Sequence, residues 1–462
     1  MRRLSASARR VDAATPPERD RAVDALRAIA ILGVVGGHWL VTALVPEGGV
    51  LRGDSPLRHM PWLAPVSWVF QTLAVFFLVG GHVAARSHAS ARQRGIGHGP
   101  WLAARLGRLF RPVAAVLVVW AAIGAGLVLS GTGADTVRTL LKLALSPLWF
   151  LLVFAALTAL TPLVARLNPL WPLAVVLHVD LIRFGFGGPA WLGWVNVAAG
   201  WLVPYTLGAA WARGELTRRS GWVLLIGGAA GAAGLILWGG YPASMVGVPG
   251  EAVSNLDPPT LAAVAFGLAQ CGLALLLREP LRRWTRAAIA WAPVALVNLS
   301  AMTIFLWHQT ALMAVTALGL LVGTPLPGLH TVPDGPGWAA ARLAWLPVFA
   351  AALAFCWAAF RAHERGGVTA GPGPRPRATP RVVEQYRRPG PVTSTCTQHL
   401  RPVPATSTCT QHLRPVPATS TCAQYQRPVP APSTRAQHLH PAPAPRTRAQ
   451  HLHPAPAPRT RD

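Results

Sequence analysis

The chain has 462 residues, 52% of them hydrophobic and 13% charged, with a mean hydropathy of +0.38. Soluble domains carry roughly 25% charged residues, so this balance, with repeated apolar runs of about 20 residues, excludes an ordinary soluble enzyme and reads as an all-α polytopic membrane protein. The net charge of +26 does not make it a nucleic-acid binder, because the excess is spread over a tail and over short loops between apolar runs.

The first nineteen residues, with Arg2, Arg3, Arg9, Arg10 and Arg19, read as a disordered basic arm. Ten apolar runs follow, at about 25–45, 63–84, 109–130, 146–166, 169–186, 190–211, 221–239, 258–278, 294–322 and 337–361. The first is too long for a signal-peptide core and contains charges. Arginines concentrate in alternate loops, at Arg86–Arg111, Arg213–Arg219 and Arg278–Arg286, while the loops near 240–257 and 323–337 have none. The positive-inside rule then puts both termini in the cytoplasm and the domain, residues 20–362, in the inner membrane. The fifth run is short and interrupted by His178, Asp180 and Arg183; an Asp–Arg pair satisfying itself is the simpler reading there.

From about residue 363 the composition turns to Pro, Arg, Thr and Ala, and a thirteen-residue unit, "TSTCTQHLRPVPA", recurs with variations. Proline at this density forbids helix, so residues 363–462 read as a disordered cytoplasmic tail. Cys396, Cys409 and Cys422 belong to the repeat. No zinc-ligand spacing is visible and no metal is expected.

Ionisable groups inside a lipid-facing helix are costly and mark function by default. The first run opens "VDALRAIAILGVVGGHW", residues 23–39. Arg27 and His38 are eleven residues apart, which on a helix is roughly 16 Å along one face, and Asp24 precedes Arg27 by one turn. An arginine at the cytoplasmic mouth suits an anionic ligand, and a neutral imidazole deeper in suits proton transfer. A snorkelling arginine and a packing histidine remain open on this spacing alone. In the ninth run, "VNLSAMTIFLWHQTALM", His308 falls at a depth similar to that of His38, so the two could flank one cavity; Asn298, Ser300, Thr303 and Gln309 beside it read as interhelical hydrogen-bonding groups.

These residues carry a resemblance. The first run resembles the opening motif of the acyltransferase-3 family of bacterial membrane O-acyltransferases, an Asp-x-Leu-Arg start with a histidine after ten further residues. "FFLVGGH" at 76–82 resembles the family's Phe-Phe-x-x-Ser-Gly element, with Gly80 in place of serine. "RLGRLFRP" at 105–112, "PLWFLLVFAALTALTPL" and "LSAMTIFLWHQTAL" resemble its later elements in order. The resemblance covers about residues 20–362 and leaves the tail without a counterpart. It implies transfer of an acyl group, usually acetyl, from a cytoplasmic acyl-CoA donor such as acetyl-CoA to a hydroxyl of a carbohydrate, cell-envelope or small-molecule acceptor. Under it, His38 is the expected general base and Arg27 the donor- or charge-binding cation, oriented by Asp24. Arg105, Arg108 and Arg111 are the expected phosphate site, and His308 a second catalytic group or acceptor ligand. The rival class is a transporter or flippase of an envelope precursor, which would call for carboxylates deep in the spans; Asp24, Asp180, Glu215 and Glu279 all lie near boundaries.

Overall fold

A computed structural model describes residues 2–364; the expected disordered tail with its repeats lies outside the described residues from 365 onward. Among the described residues eight helical stretches are long and apolar enough to cross a membrane: Arg21–Val41, Pro61–Gln93, His98–Leu129, Ala134–Ala159, Arg218–Leu237, Leu261–Trp284, Ala301–Leu320 and Pro336–Ala362. The other two predicted spans are helical as well, but differently built. The fifth holds only eleven α-helical residues, Leu170–Asp180, before a π-turn over Leu181–Gly185; eleven residues rise about 16 Å, against roughly 30 Å of hydrocarbon. The sixth, Val195–Ala212, is largely buried among its neighbours.

The helices that place the site are α1 (Arg2–Ala13), α2 (Arg21–Val41), α3 (Leu73–Gln93), α4 (His98–Leu129), α5 (Ala134–Leu145), α6 (Pro147–Ala159), α7 (Leu170–Asp180), α8 (Val195–Ala212), α9 (Arg218–Leu237), α10 (Leu261–Trp284), α11 (Ala288–Leu299), α12 (Ala301–Leu320) and α13 (Pro336–Glu364). A β-hairpin, β1 (Ala43–Glu47) and β2 (Val50–Asp54), follows α2, with Gly48 and Gly49 both at positive φ in its two-residue turn. Single residues set two helix boundaries, the second of them inside the predicted span 294–322. Pro147 starts α6 directly after Ser146, where its missing N–H costs nothing. Ser300 leaves helical geometry between α11 and α12, and its hydroxyl accepts from Trp357 Nε1 at 2.6 Å.

The arm expected to be disordered contains α1, which packs against α11. Arg21 pairs with Asp12 at 2.6 Å and lies over the Trp291 ring, whose Nε1 donates to Thr15 at 2.7 Å. An indole on α11 thus gives the arm the apolar partner that its own sequence lacks.

Small residues set the tightest packing. A Cβ at Gly208 of α8 would strike the Leu78 carbonyl of α3, and one at Gly81 would strike the Tyr205 carbonyl, so these two helices meet backbone to backbone. Gly228 and Gly272 do the same between α9 and α10. The expected self-satisfied acid in the fifth run is a buried junction: Asp180 accepts from Asn196 at 2.9 Å, Tyr241 at 3.0 Å and the Leu261 amide at 2.6 Å, with Arg183 at 4.0 Å. Burial and the facing Asp180 carboxylate push the Tyr241 hydroxyl above its ordinary range, which keeps it the donor of that bond.

Candidate active site

Helix α2 begins where Asp20 caps it, accepting from the Val23 amide at 3.3 Å, and is anchored there by Arg278 of α10 at 3.1 Å. Acidic groups suit this helix start. Asp24 is buried, but its carboxylate pairs with Arg19 at 2.5 Å and not, as expected, with Arg27. The reason is local: the chain turns at Asp20 and brings Arg19 back over the first turn of α2. Among the described residues no hydrogen bond or ion pair of Arg27 is seen, and Asp24 lies within Coulombic range of its guanidinium.

The three arginines of "RLGRLFRP" separate. Arg105 alone turns inward: it donates to Ser87 Oγ at 2.7 and 3.1 Å and to the Val83 carbonyl at 3.3 Å, lies over the Trp101 ring, and is within electrostatic reach of Arg27. Arg108 and Arg111 are exposed, and Arg108 folds back on its own helix at the Ala104 carbonyl. Of the three, only Arg105 is turned inward, and the other two are exposed. His82, which the sequence places at a helix end, is buried against Trp211 with ring centroids 4.1 Å apart.

Farther along α2, His38 meets α12. Its ring centroid lies 5.1 Å from that of His308, and its Nδ1 is 3.0 Å from the amide nitrogen of Gln309. His308 is fully buried; its Nδ1 donates to the Phe305 carbonyl at 2.5 Å, which leaves Nε2 as a lone pair with no partner among the described residues. The Trp39 indole donates to the His308 carbonyl at 3.0 Å and fixes the two helices at this level. The predicted equal depth of the histidines is thus direct ring contact.

A cavity of about 590 Å³ reaches His38 from the hairpin side, the end of the molecule opposite Arg27. Its lining includes His38, Gln309 and Phe305 together with Gln71, Asp54 and Lys142. His308 is not part of the lining and stands behind His38. The glycines of "LGVVGGHW" make this possible: Thr72 packs against Gly33 and bonds the Ala30 carbonyl at 2.7 Å, and Phe70 packs on Gly36 and Gly37. A side chain at those positions would push the cavity wall off α2.

Sequence reasoning passed over Arg342 of α13. It is 1% exposed and faces no carboxylate among the described residues; it donates to the carbonyls of Trp39 at 2.6 Å, Gly328 at 2.8 Å and Thr42. Trp39 and Thr42 close the last turn of α2, so a buried cation sits at the negative end of the helix that carries His38. Its only signal in the sequence was an arginine inside an arginine-poor half of an apolar run.

A family model described as an acyltransferase domain matches residues 20–361. The chain belongs to the acyltransferase-3 family. It is a multi-pass membrane acyltransferase, and the match ends where the last long helix does. No curated protein and no solved structure matches the chain. The departure of this acyltransferase from the expected serine at position 80 has a steric account: a Cβ at Gly80 would collide with the Phe154 ring of α6.

Proposed function

We propose that this acyltransferase transfers an acetyl or similar acyl group from acyl-CoA to a hydroxyl of a carbohydrate, envelope or small-molecule acceptor, with His38 as general base. The observation that carries the reading is the position of His38: it lines a cavity whose walls carry hydroxyl, amide, charged and apolar groups, on the same helix as Arg27. The arginine-rich face, with Arg27 and Arg105, is the cytoplasmic one in this reading, and the termini lie there.

A carbohydrate hydroxyl is a weak nucleophile. His38 takes its proton as the oxygen attacks the thioester carbonyl; the C–O bond forms, the C–S bond breaks, and the imidazolium returns the proton to the departing thiolate. Arg27 and Arg105 bind donor phosphate or oppose negative charge on the donor side. Donor and acceptor then approach His38 from opposite ends of α2, so the acyl group crosses the membrane as it is transferred.

The test uses membranes containing the wild type or His38→Ala, given labelled acetyl-CoA and a cell-envelope extract. The wild type labels an acceptor and the variant does not; equal labelling by both would remove His38 as the base.

A further inference from the structure

The side-chain amide of Gln309 is 1% exposed and presents one end to His38 Nδ1 at 3.0 Å. An amide has two chemically opposite ends, and which one faces the ring decides where the imidazole proton sits. With the nitrogen there, an N–H donates to Nδ1, the proton of neutral His38 lies on Nε2, and the ring has no free lone pair for a hydroxyl proton. With the oxygen there, Nδ1–H donates to it and the Nε2 lone pair stays free. Nε2 is also the ring nitrogen that no protein group engages among the described residues.

The surroundings favour the second orientation. Gln309 Oε1, turned away from His38, is buried without a partner, and so is His308 Nε2, whose ring proton is committed to the Phe305 carbonyl. Both unpartnered groups are acceptors, crowded around the same pair of rings. Rotating the amide gives one of them its hydrogen bond and turns an –NH2 into a neighbourhood that otherwise lacks donors.

We propose that Gln309 is the positioning residue that selects the tautomer of His38: its carbonyl oxygen accepts the Nδ1–H and keeps the Nε2 lone pair for the acceptor hydroxyl. This rests on the reading of His38 as the base. In this role Gln309 acts through the ring, as the orienting partner of a catalytic imidazole does.

The full-length protein in lipid nanodiscs, labelled with ¹⁵N-histidine, reports the tautomer without any substrate, because protonated and unprotonated ring nitrogens resonate far apart. The His38 pair of signals is identified by its loss in His38→Ala. The expected spectrum shows His38 protonated at Nδ1 in the wild type and in Gln309→Glu, whose carboxylate can only accept. In Gln309→Leu that preference is lost. A wild-type spectrum with the proton on Nε2, or an unchanged tautomer in Gln309→Leu, overturns the proposal. In the acetyl-transfer assay Gln309→Leu lowers the rate about 100-fold at unchanged donor KM, and Gln309→Glu recovers most of it. Failure of the base reading is separate and visible: His38→Ala would then transfer normally, whatever the spectrum shows.

Discussion

The imidazoles of His38 and His308 lie 5.1 Å apart, centroid to centroid, and are tilted by 43°. They are held there by two backbone carbonyls of α12: the Trp39 indole of α2 donates to that of His308, and the His308 ring donates to that of Phe305. The rings therefore differ in what they can do. His38 opens on the cavity and has a nitrogen that no described residue bonds, whereas His308 is enclosed behind it.

This difference predicts unequal variants. His38→Ala lowers acetyl transfer by about 10²–10⁴-fold, the usual contribution of a positioned base. His308→Phe keeps the ring volume and lowers transfer by about tenfold, through misplacement of His38. Rates measured on purified protein in detergent, with thermal unfolding as a check on folding, decide it; a His308→Phe defect as deep as that of His38→Ala would assign His308 a direct role in proton transfer.

The arginine cluster divides on geometry. Arg27→Gln and Arg105→Gln each raise the donor KM about tenfold, or ~1.4 kcal/mol. Arg108→Gln and Arg111→Gln, whose parent side chains are exposed, leave it within about twofold, as surface changes do. Titration of acetyl-CoA against fixed acceptor separates the two pairs. Equal effects across all four would mean that the donor site lies on the outer surface of α4.

Gly80 carries a packing prediction. Gly80→Ser places a Cβ against the Phe154 ring, and overpacking of this kind costs about 1–3 kcal/mol. Phe154→Ala in the Gly80→Ser background recovers part of that loss, because the two changes share one space. A double-mutant cycle on melting temperature checks it; strictly additive effects would show that the two sites do not touch.

Much of the architecture was legible in the sequence because lipid imposes a simple rule. Every backbone group must bond within the helix, so apolar length reports spans directly. What hydropathy could not show were interruptions set by single residues, such as Ser300, or a helix whose order comes from a distant partner, as α1 gains from Trp291. At the site, periodicity aligned Arg27 with His38 and depth matched His38 to His308. The partner of Asp24 was misassigned because spacing along one helix says nothing of a chain that doubles back, and Arg19 does. Gln309 was legible as an interhelical hydrogen-bonding group, but its partner was not, and Arg342 was missed altogether, for a further reason. Their roles depend on which backbone and ring atoms the fold brings within 3 Å of them, on helices some 270 and 300 residues away.

Arg342 gives the sharpest test of that long-range dependence. Three carbonyls share one buried guanidinium with no carboxylate paired to it among the described residues, and two of them end the helix that holds His38. Hydrogen bonds from charged donors are worth about 1.5–3 kcal/mol each, and the carbonyls left behind would be buried without partners. Arg342→Met therefore lowers stability by roughly 3 kcal/mol or more, visible as an earlier thermal unfolding transition in detergent. Arg342→Lys also fails to rescue, because an ammonium cannot reproduce the planar fork that spans Trp39, Thr42 and Gly328. The same loosening reaches His38, one turn before Thr42, so transfer falls more steeply than stability alone requires when measured well below the unfolding temperature. Arg342→Met with the wild-type melting temperature and rate would show that the end of α2 holds itself.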